Sequence, residues 1–410
     1  MRLTRTLFMA LALMLVVSMG VVSAQDQTTI MLAGWSSSDS ENAALQAQVD
    51  AFQAANPDVA VELNLVPDYD TFMQTGFASG DYANVFYVDS SKLQDWASAK
   101  VIAPVGDQLT NVEGLYESLR TVFTYDGQLY CPAKDFSTLA LQYNIDMFDA
   151  AGVAVPTTWE ELAAAAEALT TADVAGLTVN PELARFLPFL YQGGGAVLDA
   201  EGNVALDSDA TRAAVQAVVD LFVNGYARTA TDLGAGWAGE AFGQGKVAMA
   251  MEGNWVIQYL EDNFPDLNWG VAELPAGPAG KATMAFTVCY GVADPESNAS
   301  QTPEALAASI RLVDFLTGDE GAMMVGESGF GPMPTRGIAA DLWLSARGEE
   351  FKPFVDGAQY SYPWSFPPGF GTFIDTFNTN LVEATKGNLS VDEFVTSAAE
   401  AAQEAVDELN

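Results

Sequence analysis

A two-lobed α/β fold is predicted by three observations: an early strand–helix–strand alternation, a chain too long for one hydrophobic core, and no flexible tether between its parts. TTIMLA at 28–33 reads as a short apolar strand, and Gly34, Trp35 and the polar run SSSDSEN supply turn and cap chemistry. Over 41–55, Ala44, Leu45, Val49 and Phe52 recur at helical spacing until Asn56 and Pro57 stop them. VAVELNLV at 59–66 then alternates like a strand and completes a β-α-β unit, the building block of a parallel sheet. Residues 85–89 and 93–99 repeat the idea. The 410 residues exceed the roughly 250–300 at which a single core stops growing. With no repeat, low-complexity tract or flexible linker between them, the two open α/β lobes are expected to be joined by crossing strands.

The rest of the chain keeps alternating. VPTTWEELAAAAEAL at 155–169 carries a helix start: Pro156, a Thr cap, then Glu160 and Glu161 in the first turn, where the helix dipole favours them. Further helices are expected at 209–224, 253–262, 303–316 and 391–409, and strands at 246–251, 268–273 and 283–293. DAEGN at 199–203 lacks the glycine and glutamate spacing of a calcium loop and reads as a hairpin turn.

Composition excludes much chemistry. Arg2 and Arg5, an apolar run over 7–22 and the small-residue site VSA at 22–24 form a secretory leader, expected to be removed after Ala24. That run is shorter than the roughly 20 residues needed to span a bilayer. Residue 25 is Gln, so no lipid-modified cysteine is expected there. The formal net charge of −38 sets nucleic acid and anionic membranes aside as partners. There is no histidine, which removes the commonest general base and most zinc and iron sites, and no metal or cofactor is expected. Cys131 and Cys289 are the two cysteines, and in an exported chain two cysteines favour pairing.

Aromatic residues beside turn-forming polar residues recur at the ends of expected strands. They are Trp35 with Asp39 and Glu41, Tyr191 with Gln192 and Gly193, Trp237 with Glu240, Asn254 with Trp255, and YPWSFPPGF at 362–370. In open α/β sheets the ligand crevice lies outside the carboxyl ends of the strands. Sugars suit such a crevice, because aromatic faces pack on the C–H face of a pyranose while charged groups and amides take its hydroxyls. The stretch YCPAKDFSTLALQYN at 130–144 adds a puzzle, since Lys134 and Asp135 stand at the head of a strand-forming run. Burying charge is costly unless it is paired, so the pair is either surface decoration or the lining of a cavity.

Three stretches together resemble one family. YCPAKDFSTLALQYN and the following MFDAAGVAVPTTWEELAAAA, then AFGQGKVAMAMEGNW at 241–255, then GFGPMPTRG at 329–337, are similar to segments of the extracellular solute-binding proteins of ABC-type sugar importers, which include maltose-binding protein. The resemblance runs from about residue 28 to the C-terminus. It implies a type II periplasmic-binding-protein architecture, with residues 25–133 plus 285–333 as the first lobe and 134–284 plus 334–410 as the second. It implies a monomer that holds a mono- or oligosaccharide between the lobes and delivers it to a membrane permease, outside the cytoplasm and without catalysis. Lys134 and Asp135 would face the cleft at the first crossing, and Asp89 would sit likewise at a strand end. Cys131 and Cys289 would lie close together on the two crossing segments. Trp35, Asp39, Glu41, Tyr191, Gly193, Trp237, Asn254, Trp255, Arg336 and Trp364 complete the expected ligand set. Two other readings stay open from the residues: a secreted carbohydrate-active hydrolase using paired carboxylates, and a binding protein for a non-sugar solute such as a polyol.

Overall fold

The computed structural model describes residues 27–36, 39–328 and 331–409. The leader at 1–24 lies outside the described residues, as do Gly329 and Phe330 of the third quoted stretch. The strands are β1 (Thr28–Trp35), β2 (Val59–Val66), β3 (Val85–Asp89), β4 (Thr124–Tyr125), β5 (Gln128–Leu129), β6 (Ala133–Asn144), β7 (Ala175–Thr178), β8 (Ala227–Arg228), β9 (Val247–Gly253), β10 (Trp269–Ala272), β11 (Thr283–Val292) and β12 (Ser361–Pro363). β4 and β5 form a separate hairpin.

The main sheet runs β2-β1-β3-β11-β6-β9-β7-β8, with β10 also on β6 and β12 also on β11. β1 pairs in parallel with β2 from Thr28↔Val59 to Trp35↔Val66, and β3 joins its other edge in parallel. On the far side β9, β7 and β8 form a second parallel set. Two long antiparallel strands connect the sets. β6 pairs β11 over Ala133–Thr138 and then changes partners, meeting β9 from Leu139 and β10 from Leu141. β11 pairs β12 at Thr283–Ala285, β6 in its middle and β3 from Val288 to Val292. Because the strands themselves cross, no linker sequence separates the two sets, as the composition implied.

Local chemistry explains most elements. Thr158 caps the helix Trp159–Leu169 by accepting from Glu161 N at 3.2 Å, and Thr302 caps Pro303–Thr317 in the same way. Ser390 and Glu393 form a reciprocal capping box on Val391–Asp407. DAEGN is a turn, with Asp199 Oδ1 accepting from Glu201 N and Asn203 N between bridged Leu198 and Val204. The helix expected from Gly253 starts at Val256, because Gly253 completes β9. Pattern reading passed over β7, whose sequence AGLT shows no alternation because every residue is buried. It also passed over the helix Leu183–Gln192, which carries Pro188 in its interior.

The buried apolar residues form two clusters. Phe52, Phe86, Phe123 and Val292 belong to one buried cluster, and Leu162, Phe186, Phe377 and Phe394 to another. The first cluster also takes in Trp343 and Phe354 together with Ile257 and Leu260, whereas the later helices Gly371–Thr385 and Val391–Asp407 bury their apolar faces in the second. No helix among the described residues is long and apolar enough to cross a membrane.

Candidate functional site

The ion pair that looked misplaced in the sequence stands where β6 and β11 cross. Lys134 Nζ bonds the Asp135 carboxylate, lies 3.5 Å from Glu41 Oε1 and sits 5.0 Å from the centre of the Tyr87 ring. The Lys134 and Asp135 side chains are only 9% and 10% exposed, so this is a buried pair and no surface ornament. Burial by itself would lower the Lys134 ammonium, but Asp135 foremost, with the tyrosines and Glu41, holds it well above the usual lysine range. Thr287 Oγ1 donates to the Asp135 carbonyl at 2.7 Å, which fixes the pair to the neighbouring strand. Beside it the Cys131–Cys289 disulfide, with Cα atoms 5.6 Å apart, ties the residues just before β6 to β11.

Tyr87 and Tyr290 stand beside this pair, and Tyr69 packs against Tyr87. Burial pushes the Tyr87 hydroxyl up to about 12, and Tyr69 and Tyr290 well above the usual value for the same first reason. Each folded-state value lies above its unfolded one, so the stability these groups contribute is complete below pH 10 and is lost as pH rises through the folded values. Lys134, also raised, acts in the same direction. The thermal midpoint should hold steady to about pH 9.5 and then fall steeply. A midpoint unchanged up to pH 11.5 would show that these groups are not buried as described.

A cavity of about 420 Å³ opens above the pair. Trp35, Ser40 and Glu41 bound one side; Lys134, Asp135 and Ser137 form the floor; Trp255, Gln258, Tyr259 and Asp262 bound the other. Its walls therefore come from both strand sets. A second cavity of about 360 Å³ shares Trp35 and continues along the carboxyl ends of β1, β2 and β3, where it is lined by Asp68, Tyr69, Asp70, Asp89, Lys92 and Trp96. Every residue lining the second cavity precedes β6. Tyr69 and Tyr87 hold the Trp35 ring edge-on at 5.5 and 5.0 Å.

The opposite wall is braced by a second ion pair. Arg185 Nη2 donates to Glu252 Oε2 at 2.9 Å, and Trp255 Nε1 donates to the same oxygen at 3.1 Å. The guanidinium lies 5.5 Å from the Trp255 ring and 5.7 Å from Phe286. Burial raises Glu252 above its ordinary value, and Arg185 opposes that rise. From Trp255 into the helix Val256–Asn263, Gln258, Tyr259 and Asp262 follow at helical spacing on the cavity side. Arg347 Nη1 donates to Gln258 Oε1 at 3.2 Å, which turns the Gln258 amide so that its Nε2 donates to Asp262 Oδ1 at 2.9 Å.

Of the residues expected from the sequence, the structure brings Trp35, Glu41, Lys134, Asp135 and Trp255 to the larger cavity and Asp89 to the smaller one. Asp39 opens the helix Asp39–Ala55, and its side chain lies outside the described residues. Asn254 is buried and donates from Nδ2 to the carbonyl of Gly331, a residue of the cavity wall. Trp237 stands behind Tyr259, 4.7 Å away ring to ring. The Trp364 carbonyl accepts from Ser90 Oγ at 2.7 Å, and its ring lies 6.3 Å from Phe286. Tyr191 stacks on Tyr362 at 4.0 Å with Gly193 just beyond, and neither belongs to the two cavities. Arg336 is not brought there either: it is 2% exposed and donates to the carbonyls of Thr317 and Asn111 at 2.6 and 2.7 Å. Sequence reading did not single out Gln258, Tyr259, Asp262 or the Arg185–Glu252 pair. The helical spacing after Trp255 was a usable signal for the first three.

Two parallel-stranded lobes that share crossing strands, with an aromatic and polar cleft at the crossing, define a two-lobed binding protein of the type II periplasmic architecture. The chain belongs to the bacterial extracellular solute-binding protein family, whose model matches residues 35–323. An ABC substrate-binding protein of Listeria monocytogenes, solved with cycloalternan, superposes with a TM-score of 0.80 at 23% identity over 93% of this chain and all of that one. The GacH receptor of Streptomyces glaucescens, solved unliganded and with acarbose, gives 0.79 at 25% identity over 93% of this chain and 99% of its own. A protein named as a binding protein in Brucella abortus is 24% identical over 258 residues, 60% of this chain. That match spans only 61% of the Brucella protein.

Proposed function

We propose that this protein is the substrate-binding component of an ABC importer, which captures a mono- or oligosaccharide between its lobes and hands it to a membrane permease without altering it. The observation that carries the reading is the cavity at the strand crossing, where Trp35 from one lobe and Trp255 from the other border a floor of ionised, hydrogen-bonding groups. Aromatic rings of that kind stack on pyranose faces, and Lys134, Asp135, Gln258 and Asp262 offer donors and acceptors to hydroxyls. The structurally similar proteins solved with cycloalternan and acarbose support a carbohydrate ligand. Export behind a leader cleaved after Ala24, to the periplasm or the cell exterior, fits the family.

On this reading the lobes divide along β6 and β11, where both strands change partners. Ligand contacts made from both sides favour the closed form, because only differential affinity shifts such an equilibrium. The carboxylates at the floor suit binding better than hydrolysis. A glycosidase needs one carboxyl group protonated as the acid. Asp135 and Glu41 both rest on Lys134, and Asp89 accepts from Ser91 N and Oγ at 2.9 and 2.6 Å, so each is already engaged by a donor.

Thermal unfolding of the mature protein against mono-, di- and trisaccharides and polyols tests the proposal. A sugar bound only by the native state raises the midpoint according to RT ln(1 + [L]/Kd) and is recovered intact. Cleaved sugar would establish the hydrolase reading, and stabilisation by polyols alone would establish a non-sugar solute.

A further inference from the structure

A cavity of about 230 Å³ lies among the helices Trp159–Leu169, Leu183–Gln192 and Asp209–Val223, and none of its lining residues borders either cleft cavity. Trp159, Phe189 and Tyr226 line it, with the aliphatic Leu162 and Leu221 and the small Ala163 and Ala217 between them in the wall. Its polar lining is Glu160, Asp220 and Asn224, and no lysine or arginine borders it.

The rings are held from outside the cavity. Trp159 Nε1 donates to Gln192 Oε1 at 2.7 Å, and Gln192 Nε2 donates to the Ala282 carbonyl at 2.7 Å, so the indole is pinned to a buried amide that is itself fixed. The Trp159 ring lies 5.8 Å from that of Phe189. Tyr226 donates its hydroxyl to Glu167 Oε1 at 2.8 Å. The polar atoms of Trp159 and Tyr226 are thus committed to the protein, and what these residues offer a guest is ring surface.

Electron-rich ring faces and carboxylates attract the same kind of guest, an organic cation. Glu160 makes no hydrogen bond or ion pair among the described residues, and the Asp220 carboxylate accepts only from Gln216 Nε2, at 2.7 Å. The helix Asp209–Val223 also ends here, with Asp220, Leu221 and the cap Asn224 on the cavity, and a helix C-terminus carries partial negative charge. The positive end of Trp159–Leu169 opposes this, but it is satisfied locally: Thr158 caps it, and Trp159 N donates to the Ala276 carbonyl at 3.2 Å. A bare ammonium is strongly hydrated and gains little from aliphatic walls, whereas an alkylated one buries apolar surface as it enters.

We propose that this cavity is a second binding site, separate from the sugar cleft, for a small alkylated ammonium ion. The alkyl groups pack on Trp159, Phe189 and Tyr226, and the charge faces Glu160 and Asp220. A neutral ligand of the same shape keeps the packing and loses the attraction to the carboxylates and rings. An acid of that shape is repelled by both carboxylates.

Saturation-transfer difference NMR of the mature protein tests this with choline, tetramethylammonium, neohexyl alcohol as the uncharged carbon isostere of choline, and tert-butylacetate as an acid of similar shape. Choline and tetramethylammonium are expected to give saturable transfer, with choline bound roughly tenfold tighter than neohexyl alcohol, and tert-butylacetate none. Ala217→Leu, which fills the cavity from a helix that tolerates leucine, should abolish the choline signal. Glu160→Gln combined with Asp220→Asn should remove most of the preference for choline over its isostere. Far-ultraviolet circular dichroism and the response of the thermal midpoint to sugar should stay unchanged in both variants, since no altered residue borders the cleft. Equal affinity for choline and neohexyl alcohol, choline binding that survives Ala217→Leu, or the absence of any saturable transfer overturns this inference, and each leaves the sugar-binding reading untouched.

Discussion

Replacing Lys134 by methionine is expected to destabilise the protein by about 3–5 kcal/mol and to abolish sugar binding, the size of effect seen when one partner of a buried ion pair is removed. The change leaves Asp135 and the mostly buried Glu41 without the ammonium that neutralises both. It also strips the cleft floor of a donor. The urea midpoint measures the first effect and calorimetric titration the second. A double substitution, Lys134→Met with Asp135→Asn, should recover much of the lost stability, because it removes the stranded charge as well as its partner, yet it should not recover binding. A single variant as stable as the wild type would show that the pair is solvated, contrary to its 9% and 10% exposure.

Removing the disulfide is the second large effect. The sequence separation of 158 residues makes the closed loop long, and the chain-entropy account gives such a cross-link about 5 kcal/mol. That is comparable to the whole stability of a typical domain, roughly 5–15 kcal/mol. Cys131→Ala with Cys289→Ala is therefore expected to lower the unfolding midpoint sharply, and to loosen the strand crossing that carries Lys134 and Asp135. Both cysteines are fully buried, so a reductant added without denaturant should leave the bond in place. An unchanged midpoint in the double variant would place the stability of the crossing in the β6–β11 pairing alone.

Much of this architecture was written locally. The strand pattern at 59–66 became β2 with the same limits, that at 85–89 became β3, and the Thr158 cap stands where the sequence put it. Lys134 and Asp135 were legible because ions at the head of a strand demand a reason. The cleft wall was harder, since its chemistry is assembled from distant segments. Arg185 sits on a helix hidden by Pro188 and finds Glu252 across 67 positions of sequence. Tyr191, aromatic and beside glycines, reads like a ligand contact, but its stacking partner Tyr362 arrives from the far end of the chain. Arg336 belongs to a recognisable motif, yet its donors are spent on the carbonyls of Thr317 and Asn111. Local pattern shows that such a cation exists; only the tertiary fold decides which acceptors claim it.

The central claim is that ligand and lobe closure are one event. Small-angle X-ray scattering, titrated with whichever sugar raises the unfolding midpoint, measures this directly. If the lobes close over the sugar, the radius of gyration falls with ligand concentration, saturates at one equivalent and follows the calorimetric isotherm. Saturating binding at an unchanged radius of gyration would contradict it, and would make the cleft a rigid pocket with no conformational signal for a permease.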